Sequence, residues 1–509
     1  MTFSILFPTA EMQPDRHDVP EFFVDLNLDQ IVDGIVEEKD DYELRPFFFS
    51  ALHDATTIRY RHEVFKDFED AQLLERVRVF GRRLAEMRAH LVQASKIRHL
   101  HERNAWFLEA VGMYCVAVRR LSDDVTATSA RSQGIKALRD YLVQYVASER
   151  FRALGDEMAQ IQKGLTEIRY AILIREGAFT VRRYDEEPDY SAEVDATFAK
   201  FKQSDAKDYR VRFSSVFPEM NHIEQQVLTF VAQLFPTEFA DLDEFCRRNR
   251  DYLDPAISRF DREVQFYLAY LDYIAPLRAT GLRFCYPELA EGPAKAIRSR
   301  EGFDVALAHK LRERATPVVT NDFFLAGPER ILVVSGPNQG GKSTFARAFG
   351  QMHFLTALGC LVPGSEARLY LFDRIFTQFE REESIENLRG KLEDDLHRLR
   401  DIIDSSTGSS VVVLNEIFNS TAVRDAIFLS AQIVERLLER DVLGVWVTFI
   451  DEIASFDEKT VSMVSTVNPD NLAERTFEIV RRPADGLAYA HAIAEKHRVT
   501  YRALRERIL

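Results

Sequence analysis

Apolar residues recur through much of this chain at spacings of three and four. Leu73, Val77, Phe80, Leu84, Met87 and Leu91 alternate steps of four and three, and Phe107, Val111, Tyr114, Val118 and Leu121 repeat the pattern. So do Phe151, Leu154, Met158, Ile161, Leu165 and Ile168, and later Phe260, Val264, Tyr267, Leu271 and Ile274. Such spacing lays one apolar stripe along each of several long helices. Long helices with narrow stripes suit a lever or a bundle. Between them the periodicity changes. AILIREGAFTVRRY and DYRVRFSSV alternate like strands on either side of the acidic DEEPDYSAEVD, which predicts a small β-rich insertion at about 172–215.

After Pro287 the texture shifts again. Short apolar runs at Ile331–Val334, Val411–Leu414, Val445–Phe449 and Phe477–Val480 are separated by helical stretches. Buried strands alternating with helices predict an α/β domain with a largely parallel sheet. The chain divides accordingly. An acidic segment covers 1–40, helical parts cover 41–171 and 216–299 on either side of the 172–215 insertion, and an α/β domain covers 300–509.

Composition narrows the reading. At 509 residues, with 46% hydrophobic and 29% charged positions, the chain is multidomain with ample material for cores. The net charge of −15 excludes a protein coated in nucleic acid by bulk charge. It is uneven, however: residues 1–70 carry net −11 and residues 71–170 net +6. The basic stretch is the one candidate for meeting a polyanion, and a solvated helical face is the alternative. Four scattered cysteines without a CxxC fit neither a zinc ribbon nor a disulfide framework. The N-terminus has no signal-peptide pattern and no apolar run is long enough to span a membrane, so a cytoplasmic location is expected.

The chemistry is concentrated in residues 331–344, ILVVSGPNQGGKST. Gly336, Gly341, Lys342 and Ser343 meet the phosphate-loop pattern, between an apolar strand and a helical stretch, Thr344–Leu358. Backbone N–H groups of such a loop cradle phosphates, Lys342 reaches the β and γ phosphates of ATP, and the Ser343 hydroxyl binds Mg²⁺. The second half of the site is the strand Val411–Leu414 ending in Asn415 and Glu416. Glu416 suits the general base that orients the attacking water, and Asn415 stands where an Asp normally helps hold the Mg²⁺ shell. An amide keeps the acceptor oxygen but loses the charge, so weaker metal binding and a slow ATPase are expected.

At these residues the chain resembles the DNA mismatch repair MutS family. SGPNQGGKSTFARAF is similar to the family's phosphate loop, FDRIFTQ (372–378) to its DRIFTR segment, and LNEIFNSTAVRDA (414–426) to its second acidic motif and following loop. RPFFFSALHDATTIRYRHEVF (45–65) is similar to the start of its helical core. The resemblance implies a helical lever/core domain with a clamp-like insertion, then an ABC-like P-loop ATPase domain. It implies a form without the family's N-terminal mismatch-reading and connector domains. Gly336, Pro337, Asn338, Gln339, Gly340, Gly341, Lys342, Ser343 and Thr344 become the ATP loop, Asn321 falls on the adenine side, and Glu416 is catalytic. Asp425 falls in the loop used between nucleotide sites. Gly390 stands where the signature loop that reaches a partner's ATP carries Ser, and Phe449 where the family has a switch histidine. Lys391, beside Gly390, is expected close to the partner's γ-phosphate. The implied function is an ATP-dependent DNA clamp working as a homodimer, with DNA against the basic arm at 71–170 through Arg76, Arg82, Arg83 and Arg88. The alternative is a nucleotide-gated interaction scaffold with no DNA role.

Overall fold

The apolar stripes do form helices. The fold is that of a computed structural model, which describes residues 3–9, 11, 12, 14, 18–175, 178–186, 220–292, 295–380, 391–419, 421–484 and 505. Helices run over Ala71–Lys96, Leu100–Thr126, Glu149–Glu167 and Pro255–Ala279, and Leu73, Val77, Phe80, Leu84 and Met87 are all buried as their spacing requires. Starts are capped locally: the Asp70 carboxylate accepts from the Gln72 and Leu73 N–H groups, and the Ser148 hydroxyl accepts from Phe151 N.

The chain separates into two units. The first comprises residues 67–131 and 135–261 with the N-terminal tripeptide. It is a helical assembly in which Tyr114 and Tyr145 share a buried hydroxyl–hydroxyl bond of 3.0 Å and Tyr141 donates to Asp254 at 2.6 Å. Among the described residues its β element is an antiparallel hairpin, Tyr170–Arg175 with Ala178–Arg183, close to where the insertion is expected to begin. DYRVRFSSV and most of the acidic stretch before it lie outside the described residues.

The second unit holds residues 4–66, 132–134 and everything from Arg262 onward. Within it we name α1 (Phe22–Asp25), β1 (Asn321–Leu325), β2 (Ile331–Ser335), α2 (Lys342–Ala357), β3 (Ile375–Phe379), α3 (Lys391–Ser405), β4 (Val411–Asn415), α4 (Val423–Glu439), β5 (Leu443–Val447), β6 (Thr460–Asn468) and β7 (Asn471–Arg481). The main sheet has the order β3-β4-β5-β2-β6-β7. All neighbours are parallel except the β6–β7 pair. The strands β2, β4 and β5 are buried at every position, which is why they read as continuous apolar runs. A second, four-stranded sheet contains β1. The four cysteines are unpaired, and among the described residues no helix is long and apolar enough to cross a membrane.

Two histidines of this unit are buried neutral. His353, on α2, uses Nδ1 on the Phe349 carbonyl at 2.8 Å, and His62 lies against Tyr286; burial lowers the pKa of each to about 4. Folded-state values below the unfolded 6.5 mean that stability is complete above pH 6.5 and falls as the pH drops toward 4. The expected outcome is that His353→Leu, which needs no proton, loses about 2 kcal/mol less than wild type between pH 7 and 5 in urea unfolding. Equal losses would show that His353 protonates as readily in the folded chain as in the unfolded one.

Candidate functional site

The phosphate loop leaves the C-terminal end of β2 and enters α2 at Lys342. Its curvature needs left-handed backbone at Gly336 (φ 113°), Gln339 (φ 61°) and Gly341 (φ 90°). It is also packed from behind by β6. A Cβ on Gly336 would lie 2.8 Å from the Ser465 carbonyl oxygen, and the Ser465 hydroxyl donates to the Gly340 carbonyl at 2.7 Å. The glycines therefore serve the close approach of β6.

Lys342 is buried inside the loop it belongs to. Its Nζ donates to the carbonyls of Gly336 (3.1 Å) and Pro337 (3.2 Å) and to Asn338 Oδ1 (3.4 Å), and lies 3.5 Å from Glu416 Oε1. Desolvation lowers its pKa, and the Glu416 carboxylate opposes that shift. The two side chains that the sequence pairs as phosphate cation and base are thus in contact, although β5 lies between their strands in the sheet.

β4 ends at Asn415, which is buried, with its Oδ1 lacking any hydrogen-bond partner. An orphaned buried acceptor is costly and calls for a ligand. It lines the same cleft as Ser343 and Glu416, so the donors present fit Mg²⁺. Glu416 itself has φ 51° and Phe418 φ 66°, strained values for non-glycine residues next to a reactive centre. The Glu416 N–H is held by the Val447 carbonyl at 2.9 Å.

Asn321 and Thr344 flank the loop differently. Thr344 is half-buried in the first turn of α2. Asn321 opens β1, and its amide donates to the Phe477 carbonyl at 3.2 Å and accepts from the Ile479 N–H at 2.7 Å. Both polar ends of that amide are committed to β7. They hold Phe477 at φ 61°, with its ring half-exposed and 3.7 Å from where a Gly341 Cβ would stand. Arg475, on the same strand, donates to the Asn338 carbonyl at 3.2 Å. Sequence reading did not single out Phe477. Its run reads as plain strand, and only the pairing with Asn321 sets it apart. Phe449 follows β5 and is exposed, and Asp425 lies in the first turn of α4. Gly390 lies outside the described residues, and Lys391 is the first residue of α3.

The arginines named for DNA on the first helix of the helical unit are not equivalent. Arg88 pairs with the buried Asp261 carboxylate, and Arg76 donates to the Asp124 carbonyl at 3.2 Å and lies 3.5 Å from its carboxylate. Those two side chains are used inside the unit. Arg83 is half-buried, with one nitrogen unpartnered. Arg82 is exposed, with Glu75 at 2.7 Å, and Arg98 is exposed beyond it.

Comparison with known proteins agrees with this geometry. Residues 332–498 match MutS domain V. The chain is 25% identical over 249 residues to the DNA mismatch repair protein MutS of Thermotoga petrophila, and 28% identical over 241 residues to that of Thermus aquaticus. These matches cover 48% and 47% of this chain but only 29% and 28% of the relatives, so the chain spans less than a third of their length. The phosphate loop, the acidic strand end and the intervening strand all lie inside the matched region, so it is this part of the chain that is similar to MutS domain V.

Proposed function

We propose that this chain binds ATP with Mg²⁺ and hydrolyses it slowly, as a MutS-type ATPase acting on DNA. The observation that carries the reading is the contact between Lys342 and Glu416 beside the unpartnered Asn415 Oδ1. Phosphate oxygens of ATP displace the loop carbonyls from the Lys342 ammonium. The same exchange weakens the hold of Lys342 on Glu416, so the carboxylate turns to the attacking water only once phosphate has taken the lysine. Glu416 then orients the water and accepts its proton. Ser343 Oγ and Asn415 Oδ1 would hold Mg²⁺, which supplies charge neutralisation on the phosphate oxygens. Asn415 brings a dipole where an Asp would bring a charge, which is the reason for slow turnover. The Phe477 ring offers a face for the base, and Asn321 holds that ring in place rather than touching the base.

In this reading two copies place their ATPase domains face to face. The helical unit acts as lever and the hairpin insertion as the start of a clamp. DNA is met through phosphates at exposed cations such as Arg82 and Arg98. A scaffold without DNA is the second reading. It is favoured by the net charge of −15 and by the internal use of Arg76 and Arg88.

Lys342→Ala is expected to abolish binding of a fluorescent ATP analogue. Phe477→Ala should weaken ATP about tenfold while leaving tripolyphosphate affinity unchanged, since base stacking contributes on the order of 1–3 kcal/mol. Undiminished ATP affinity in the lysine variant would end the nucleotide reading, and equal losses for both ligands would remove Phe477 from the base site.

Glu416→Gln should retain ATP and slow single-turnover hydrolysis by about 10²–10⁴. Turnover at the wild-type rate would place the base elsewhere.

For DNA, charge reversal at Arg82 and Arg98 should weaken binding equally across sequences and lower the slope of log affinity against log salt by about 0.9 per lost phosphate contact. Wild type that shows no salt-dependent binding to any duplex or branched DNA decides for the scaffold.

A further inference from the structure

The outermost strand of the main sheet, β3, pairs with β4 on one side, and among the described residues its other side is open. Register fixes which main-chain groups face that opening. The Val411 N–H donates to the Arg374 carbonyl at 2.9 Å. Main-chain groups along β3 then point alternately toward β4 and away from it, and Ile375, Thr377 and Phe379 turn theirs away. No hydrogen bond to the N–H or C=O groups of these three residues is found among the described residues. An unpaired strand edge is a template for another strand, and sheets usually guard it with a proline, a charge or a bulge. The sequence of β3, IFTQF, carries neither proline nor charge, and its pairing with β4 runs without a register shift.

The edge lies along a cleft of about 1960 Å³, and every residue from Phe372 to Glu380 lines it. α1 is tied to a face of β3: the Thr377 hydroxyl, which projects from that face, donates to Asp25 Oδ2 at 2.6 Å. The chemistry of the cleft is one-sided. Seven carboxylates line it against three guanidiniums. Asp18 and Glu21, just before α1, and Asp401, on α3, are exposed and have no hydrogen bond or ion pair among the described residues. Of the cations, Arg347 is engaged by the Asp25 main-chain oxygen and the Phe379 ring, while Arg374 and Arg398 leave the lining acidic. Exposed Val19 and Val24 add apolar surface to the same wall.

We propose that this edge takes up an extended peptide of a partner protein, one that alternates basic and apolar residues, as an added strand. Main-chain hydrogen bonds to Ile375, Thr377 and Phe379 supply affinity, and the rim carboxylates select the charge. The same charges disfavour two other occupants. A second copy would bring its own acidic lining against this one. Residues 381–390 of this chain, REESIENLRG, hold three glutamates and two arginines and do not complement an acidic cleft. Neither the edge nor the carboxylates require nucleotide, so the interaction stands apart from the ATP reading.

The test uses the full chain without nucleotide and a fluorescein-labelled peptide of about eight residues, arginine and valine in alternation, read by anisotropy. Saturable binding is expected, with none for the glutamate–valine counterpart. Methylating the peptide nitrogens keeps the charge and removes the donors, and should weaken binding about tenfold or more. Thr377→Pro removes one outward donor without touching the β3–β4 ladder and should weaken binding by a similar factor. Thr377→Val, which loses only the hydroxyl, should bind as wild type does. If Thr377→Pro does not fold, the methylated peptide on wild type carries the test. Asp18→Asn, Glu21→Gln and Asp401→Asn together should weaken binding and flatten its dependence on salt. Equal binding of methylated and unmethylated peptides overturns the proposal, since charge alone would then explain the contact. So does a peptide that fails to bind wild type. Binding that appears only when 381–390 are replaced by glycine and serine gives the edge to this chain's own segment. A peptide-free dimer that Thr377→Pro dissociates gives it to a second copy. Either result overturns the proposal as well.

Discussion

The second unit turns on one buried cation. Arg61 is 1% exposed, and its guanidinium donates from Nε to the Leu6 carbonyl at 3.1 Å and from Nη1 to the Leu358 carbonyl at 2.7 Å. It lies over the rings of Phe7 and Phe266 at about 5 Å. A buried charge is tolerated only when hydrogen-bonded, and here its partners are the extended N-terminal segment and the end of α2. Gly359, just past that helix, has φ 69°, and a Cβ there would sit 3.0 Å from the arginine stem. The rest of the N-terminal segment follows the same anchor. Tyr60 donates to the Ser4 carbonyl and Tyr267 to the Ile5 carbonyl, while Glu263 accepts from Ser4 Oγ and Ile5 N. With one end of α2 tied this way, the other end presents the phosphate loop in a defined position relative to α1.

That arrangement explains why the loop is ordered. An ammonium as buried as that of Lys342 costs free energy unless it is satisfied, and two loop carbonyls, an amide oxygen and Glu416 satisfy it together. Each of these is an acceptor that phosphate can replace. These contacts therefore hold the loop open in outline and keep the Glu416 carboxylate against the lysine. Strain collects in the same place: Gln339, Glu416, Phe418 and Phe477 all adopt left-handed backbone, and each is restrained by a neighbouring strand or turn.

What could be read in the sequence was whatever is written locally. The phosphate loop has its spacing, its strand and its helix within about thirty residues, and the helical stripes repeat every seven. Those features emerged where periodicity put them. Asn415 and Glu416 were legible because a buried parallel strand is a continuous apolar run that ends in its functional residues. The engagement of Arg88 by Asp261, the grip of Asn321 on Phe477 and the hydrogen bond from Thr377 to Asp25 were not legible. Their partners lie 173, 156 and 352 positions away in sequence, and no local pattern marks a pair at that separation. The segment 45–65 that contains Arg61 was visible as a resemblance, but the role of Arg61, satisfying two distant carbonyls, appears only in the fold.

The N-terminal segment is built into the wall of the cleft that Ser343, Asn415 and Glu416 line. In this chain the facing element is a four-residue helix with no stability of its own, since so short a segment cannot close enough hydrogen bonds to offset its ordering. It stays in place because Phe22 and Phe23 pack on α2 and because Thr377, Arg347 and Gln351 bind it. Those anchors all lie on ATPase elements that also shape the cleft. Docking of the N-terminal segment and the shape of the cleft are therefore one physical problem, and a change in either is felt by the other.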